Sequence, residues 1–146
     1  MRNGDLDNTP VGRICIVFEN AIGYLPEKNR AAWRKHARKG NWDDALDLFD
    51  LDPIMLRKIT DLTFRLDISV DVVTYCGPAA FARALERMFE RENVPVRIVQ
   101  STTVERMARR TSFEPDIAAI FDANPEHALA YGRKGVMLED YWQLGG

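Results

Sequence analysis

The chain has 146 residues with 46% apolar and 29% charged residues, which excludes wholesale disorder and suits one domain with a core of its own. Twenty basic residues against twenty-two acidic give a net charge of −2, arguing against broad, non-specific affinity for nucleic acid. The apolar runs Ile14–Phe18 and Ile117–Phe121 fall far short of the ~20 residues of a membrane span. The first dozen residues have no apolar stretch, so neither membrane nor secretory signal is expected, and the expected location is cytoplasmic.

Residues 1–11 read as a flexible polar tail with the turn formers Asn3, Gly4, Asn8 and Pro10. RICIVF (13–18) is a β-branched and aromatic run of the kind buried on both faces of a parallel sheet. A loop through Gly23 and Pro26 leads to a helix over 29–39, stopped by Gly40. DDALDLF (43–49) predicts a second short helix with Asp43 in its first turn. Asp52 with Pro53 opens a longer helix, on which Met55, Ile59, Leu62 and Leu66 share one apolar face. ISVDVVTY (68–75) predicts the second strand, closed by Cys76-Gly77-Pro78. A helix from Pro78 lines up Phe81, Leu85, Met88 and Phe89. PVRIVQ (95–100), a helix over Thr103–Arg110, the strand IAAIFDA (117–123), a helix from Pro125 and a strand at Val136–Leu138 complete the chain.

This alternation predicts an α/β fold, a mainly parallel sheet flanked by helices, with a small helical insertion over about 24–50 in a single domain of 12–146. Ligands of such sheets bind beyond the carboxyl ends of the strands. Those ends carry Glu19-Asn20, Thr74-Tyr75 and Asp122-Ala123-Asn124-Pro125-Glu126. If the first and last strong strands are neighbours, Glu19, Asp122 and Glu126 converge with the Thr74 hydroxyl, an oxygen-rich set suited to Mg²⁺.

Each of these residues also has a plainer reading. Thr74 fits as a strand residue with a satisfied hydroxyl, Asp122 as a helix cap, and Glu126 as an acid favoured in a first turn. His36 and His127 lack a spaced partner for a metal pair, and Cys15 and Cys76 read as buried, reduced thiols. Arg30, Arg34 and Arg38 share one helical face beside Trp33. They form either a contact surface for nucleic acid or a solvated face paired with the acidic stretch Asp43 to Asp52.

The pattern resembles the haloacid dehalogenase (HAD)-like phosphohydrolase superfamily, especially its small phage and actinobacterial versions. Thr74 in DVVTYCG matches the family's second motif, and Asp122 with Glu126 in IAAIFDANPEHALAYG matches the fourth. Arg106 in TTVERMARR is the candidate for the third. The resemblance implies a HAD-like, Rossmann-like fold and roles for Glu19, Thr74 and Arg106 in catalysis, for Asn20, Thr74 and Tyr75 in ligand binding, and for Glu19, Asp122 and Glu126 around Mg²⁺.

The first motif departs from the family. Asp-x-Asp, the nucleophile and the general acid/base, aligns with Val17 and Glu19, and an isopropyl group has no lone pair with which to attack phosphorus. The expected function is therefore a catalytically degenerate HAD-like domain that binds a protein partner or a phosphorylated ligand. Two alternatives stand beside it: a Mg²⁺-dependent phosphatase using Glu19 and Asp122, and nucleic-acid binding through the 30–39 helix. Self-association is a further expectation, with Tyr141 and Trp142 as candidate interface residues.

Overall fold

The computed structural model describes residues 12–75, 78–100 and 103–137. The tail 1–11, Cys76 and the Tyr141-Trp142 pair therefore lie outside the described residues. Five strands form one sheet in the order β5-β4-β1-β6-β7, where β1 is Arg13–Val17, β4 Ser69–Thr74, β5 Arg97–Gln100, β6 Ile117–Asp122 and β7 Gly135–Met137. Every neighbouring pair is parallel. The chain steps from β1 outward to β4 and β5, then returns to the other side of β1 as β6. The order of strands thus reverses between β1 and β6, where a crevice opens at the carboxyl ends.

Alternation along β1 divides the core. Ile16 and Phe18 point to one face, packed with Val70, Val72, Met55, Ile59, Phe81 and Leu85. Cys15 and Val17 point to the other, packed with Val73, Met107, Ile120 and Tyr131. Helices α3 (Pro53–Leu66) and α4 (Ala79–Arg91) supply the first face; α5 (Val104–Phe113) and the end of α6 (Pro125–Ala130) supply the second. A strand buried on both sides needs apolar residues at successive positions, which is why RICIVF has no polar alternation.

The sequence places most of these elements within a residue or two. Asp52 caps α3 through the backbone N–H groups of Ile54 and Met55, with Pro53 at the first helical position. Leu66 departs from expectation: it is 58% exposed. The helix ends one residue later, where Asp67 takes the left-handed conformation. Asp43 also departs. It accepts a two-pronged hydrogen bond from Arg87 on α4 and so ties the insertion to the body rather than to the basic helix α1 (Arg30–Lys39).

The insertion begins and ends at a two-stranded ribbon, β2 (Gly23–Tyr24) with β3 (Asp50–Leu51), which the sequence reads as loop. Between them lie a 3₁₀ turn, α1 and α2 (Trp42–Leu46). The turn from β1 into the ribbon is tight: the N–H groups of Ala21, Ile22 and Gly23 all donate to the Phe18 carbonyl. Asn20 sits in the left-handed region there at φ 66°, which asparagine tolerates better than most residues. A Cβ at Gly23 would come within 2.4 Å of the Phe18 ring, so only glycine lets the turn close on that ring. This turn carries Glu19 away from the strand and into the crevice.

Candidate functional site

A cavity of about 480 Å³ lies beyond the carboxyl ends of β1 and β6, lined by Val17, Glu19, Asn20, Tyr75, Asp122, Ala123, Asn124, Pro125 and His127. Glu19 is the first carboxylate after β1. It accepts a short hydrogen bond from the Thr74 hydroxyl and a second, at 3.0 Å, from the Tyr75 backbone N–H. Parallel pairing of β1 with β4 sets Val17 beside Val73 and so brings the two strand ends level. Burial pushes the Glu19 carboxyl above its ordinary value, while the bonds from Thr74 and Tyr75 oppose the shift.

Asp122 closes β6 and is 2% exposed. One oxygen accepts from the Asn124 N–H at 2.9 Å, and the other accepts from the Tyr131 hydroxyl at 2.8 Å. His127 Nδ1 lies 3.1 Å from that second oxygen. Tyr131 Oη lies 2.5 Å from Tyr75 Oη. A phenol has one hydrogen, and Tyr131 gives its own to Asp122, so Tyr75 is the donor in this pair. Burial pushes both phenols well above their ordinary range, so both remain protonated donors. A file of hydrogen bonds thus runs Tyr75 to Tyr131 to Asp122.

The structure brings Glu19, Asn20, Thr74, Tyr75 and Asp122 to one end of the sheet. Glu126 does not join them: its side chain is exposed and outside the cavity lining, because Pro125 starts α6 and turns position 126 outward while Asn124 caps its N–H. Arg106 lies in the first turn of α5, exposed and likewise outside the lining. Arg30, Arg34 and Arg38 are exposed along α1 and are not among the residues that line the cavity.

The geometry adds two residues that sequence reasoning passes over. His127 is not isolated, since Asp122 holds its ring, and Tyr131 lies one turn further along the same helix face. The signal is a spacing, an aspartate at a strand end followed five and nine residues later by His and Tyr, with Pro125 starting the helix between.

The residues present do not fit Mg²⁺. That ion takes hard oxygen ligands in a near-octahedral shell. Val17 offers no oxygen and Glu126 stands outside, which leaves two carboxylates, Glu19 and Asp122, the latter only 2% exposed. Among the described residues no group of three His, Cys, Asp or Glu side chains is placed to hold a metal ion.

No protein-family model and no curated protein matches the chain. Among solved structures it is similar to the crystal structure of D,D-heptose 1,7-bisphosphate phosphatase from Burkholderia thailandensis. The TM-score is 0.54 at 13% identity, over 85% of this chain and 74% of that one. The chain therefore shares the α/β fold of that protein, a mainly parallel sheet flanked by helices. Among the described residues no helix is long and apolar enough to cross a membrane.

Proposed function

We propose that this chain is a HAD-like domain that holds a small ligand in the crevice between β1 and β6 without the family's covalent phosphoryl transfer. The observation that carries this reading is Val17. It occupies the position that the resemblance gives to the nucleophile, is 1% exposed, and packs among Cys15, Val73 and Met107. A scaffold reused without its chemistry keeps the crevice and loses the attacking group. The crevice here has two carboxylates and neither Lys nor Arg in its described lining, so a phosphorylated ligand would meet like charge. The geometry favours a ligand without negative charge. The small helical insertion between β2 and β3 supports placing it with the small phage and actinobacterial versions of the fold.

One observation favours a second reading, a Mg²⁺-dependent phosphohydrolase. Glu19, hydrogen-bonded to Thr74, shares a cavity with Asp122 at the strand ends of a phosphatase-like fold. Hydrolysis of an aryl phosphate, with and without Mg²⁺, separates the two. The first reading expects no turnover from the wild type under either condition. Mg²⁺-dependent turnover that disappears in both Glu19→Gln and Asp122→Asn would replace it with the second.

A further inference from the structure

The crevice contains a hydrogen-bonding unit, His127 and Tyr131 on Asp122, of which the family's motifs supply only the aspartate. His127 lines the same cavity as Glu19, and about a third of its side chain is exposed. Its Nδ1 faces the Asp122 carboxylate at 3.1 Å. An ionised carboxylate only accepts, so the neutral ring carries its hydrogen on Nδ1 and leaves the lone pair on Nε2. The Asp122 side chain cannot swing away to release the ring, because Tyr131 and the Asn124 N–H hold it from two further directions. Nε2 has the Asn124 side-chain nitrogen at 3.4 Å, a contact at the far edge of hydrogen-bonding range that a better donor displaces.

We propose that His127 Nε2, together with the Glu19 carboxylate, accepts hydrogen bonds from the hydroxyl groups of a neutral polyhydroxylated small molecule. This inference rests on the reading of the crevice as a ligand site and names the chemistry of the ligand. Three features select hydroxyl over the other common groups. An anion meets two carboxylates with no cationic side chain in the described lining. An ammonium only donates, and the Asn124 amide nitrogen beside Nε2 would face it donor to donor; a hydroxyl donates to Nε2 and accepts from that amide. Ala123, Pro125 and Tyr75 supply apolar surface for the carbon skeleton between hydroxyls. The volume of about 480 Å³ suits a small molecule.

The test has a ligand-free arm and a ligand arm. In ¹⁵N-labelled wild-type protein, at a pH where imidazole is neutral, long-range proton–nitrogen correlation reports which ring nitrogen of His127 carries the hydrogen. The Nδ1–H form is expected; a predominant Nε2–H form would overturn the unit, whatever the crevice binds. Sorbitol is then titrated against inorganic phosphate. The Nε2 resonance should move with sorbitol and stay fixed with phosphate, and calorimetry should show sorbitol binding weakened by about tenfold in His127→Phe, the loss of one good hydrogen bond. A response to phosphate alone, or none to sorbitol while the Nδ1–H form is intact, overturns the hydroxyl assignment. The ligand-free arm requires no ligand and no turnover, so its outcome is separate from that of the aryl phosphate assay.

Discussion

The two ends of the sheet each bury an aspartate, and they neutralise it in opposite ways. At the amino end Asp71, 3% exposed on β4, binds Arg13 at 3.2 Å and Arg97 at 2.7 Å, and Arg13 also pairs with Asp116. Two guanidinium groups compensate the charge there. At the carboxyl end Asp122 is held by a phenol, an imidazole and a backbone N–H. When the imidazole is neutral these donors stabilise the carboxylate without cancelling its charge, and His127 then presents a lone pair towards the cavity. Compensated charge marks a structural clamp; a charge held by neutral donors at a topological switch point marks a site.

Substituting each aspartate by its amide should break this symmetry most strongly. Asp71→Asn leaves two arginines facing a neutral group, and urea denaturation should show a loss of about 2–3 kcal/mol, reduced from the usual cost of a broken buried pair because Arg97 is largely exposed. Asp122→Asn removes an uncompensated charge and costs about 1 kcal/mol through one mismatched donor. Equal losses at the two positions would contradict the contrast. Tyr131→Phe should also cost about 1 kcal/mol in thermal or urea denaturation, since it removes the donor to Asp122 and the acceptor for Tyr75.

Much of the fold was legible because its signals are local. Asp52-Pro53 announces α3, the β-branched runs announce β1, β4 and β6, and Phe81, Leu85, Met88 and Phe89 declare the buried side of α4. The convergence of Glu19, Thr74 and Asp122 followed from one further step, that β1 and β6 are neighbours. The ribbon of β2 and β3 was not legible, because its two residues on each side are joined across the whole insertion and carry no periodicity. His127 escaped for a related reason. Its partner belongs to a strand and it belongs to a helix, and neither the strand nor the helix repeat spans that junction. Glu126, read as a partner of Asp122, faces solvent because its place in the first turn satisfies only the backbone preference for an acid.

The pH dependence sharpens the comparison, since the two ends should respond with opposite sign. The Asp116 carboxyl is held below its ordinary value of 3.8, first by the hydrogen bond from Arg13. A depressed carboxyl contributes stability that is present above the ordinary value and lost as pH falls through the folded one. The Glu19 carboxyl is raised above 4.5 by burial. Its protonated form is favoured in the folded protein, so its contribution is present below 4.5 and is lost as pH rises through the folded value. Stability measured against pH should therefore show Asp116→Asn losing the acid limb below about 3.8, while Glu19→Gln loses the decline that begins above 4.5. If Glu19→Gln kept that decline unchanged, Glu19 would not be the group responsible.

The smallest effect belongs to neither end. Leu66→Glu, at the exposed last turn of α3, should change stability by less than about 0.5 kcal/mol in the same denaturation assay.

The most direct test of the central claim, that the carboxylates of the crevice are satisfied by the chain's own donors rather than by a cation, is the melting temperature with and without Mg²⁺. A ligand that binds only the folded state must raise Tm. The account predicts the same Tm in the two conditions for wild type and for Glu19→Gln. A Mg²⁺-dependent rise in the wild type that vanishes in Glu19→Gln would contradict it and place a metal ion in the crevice.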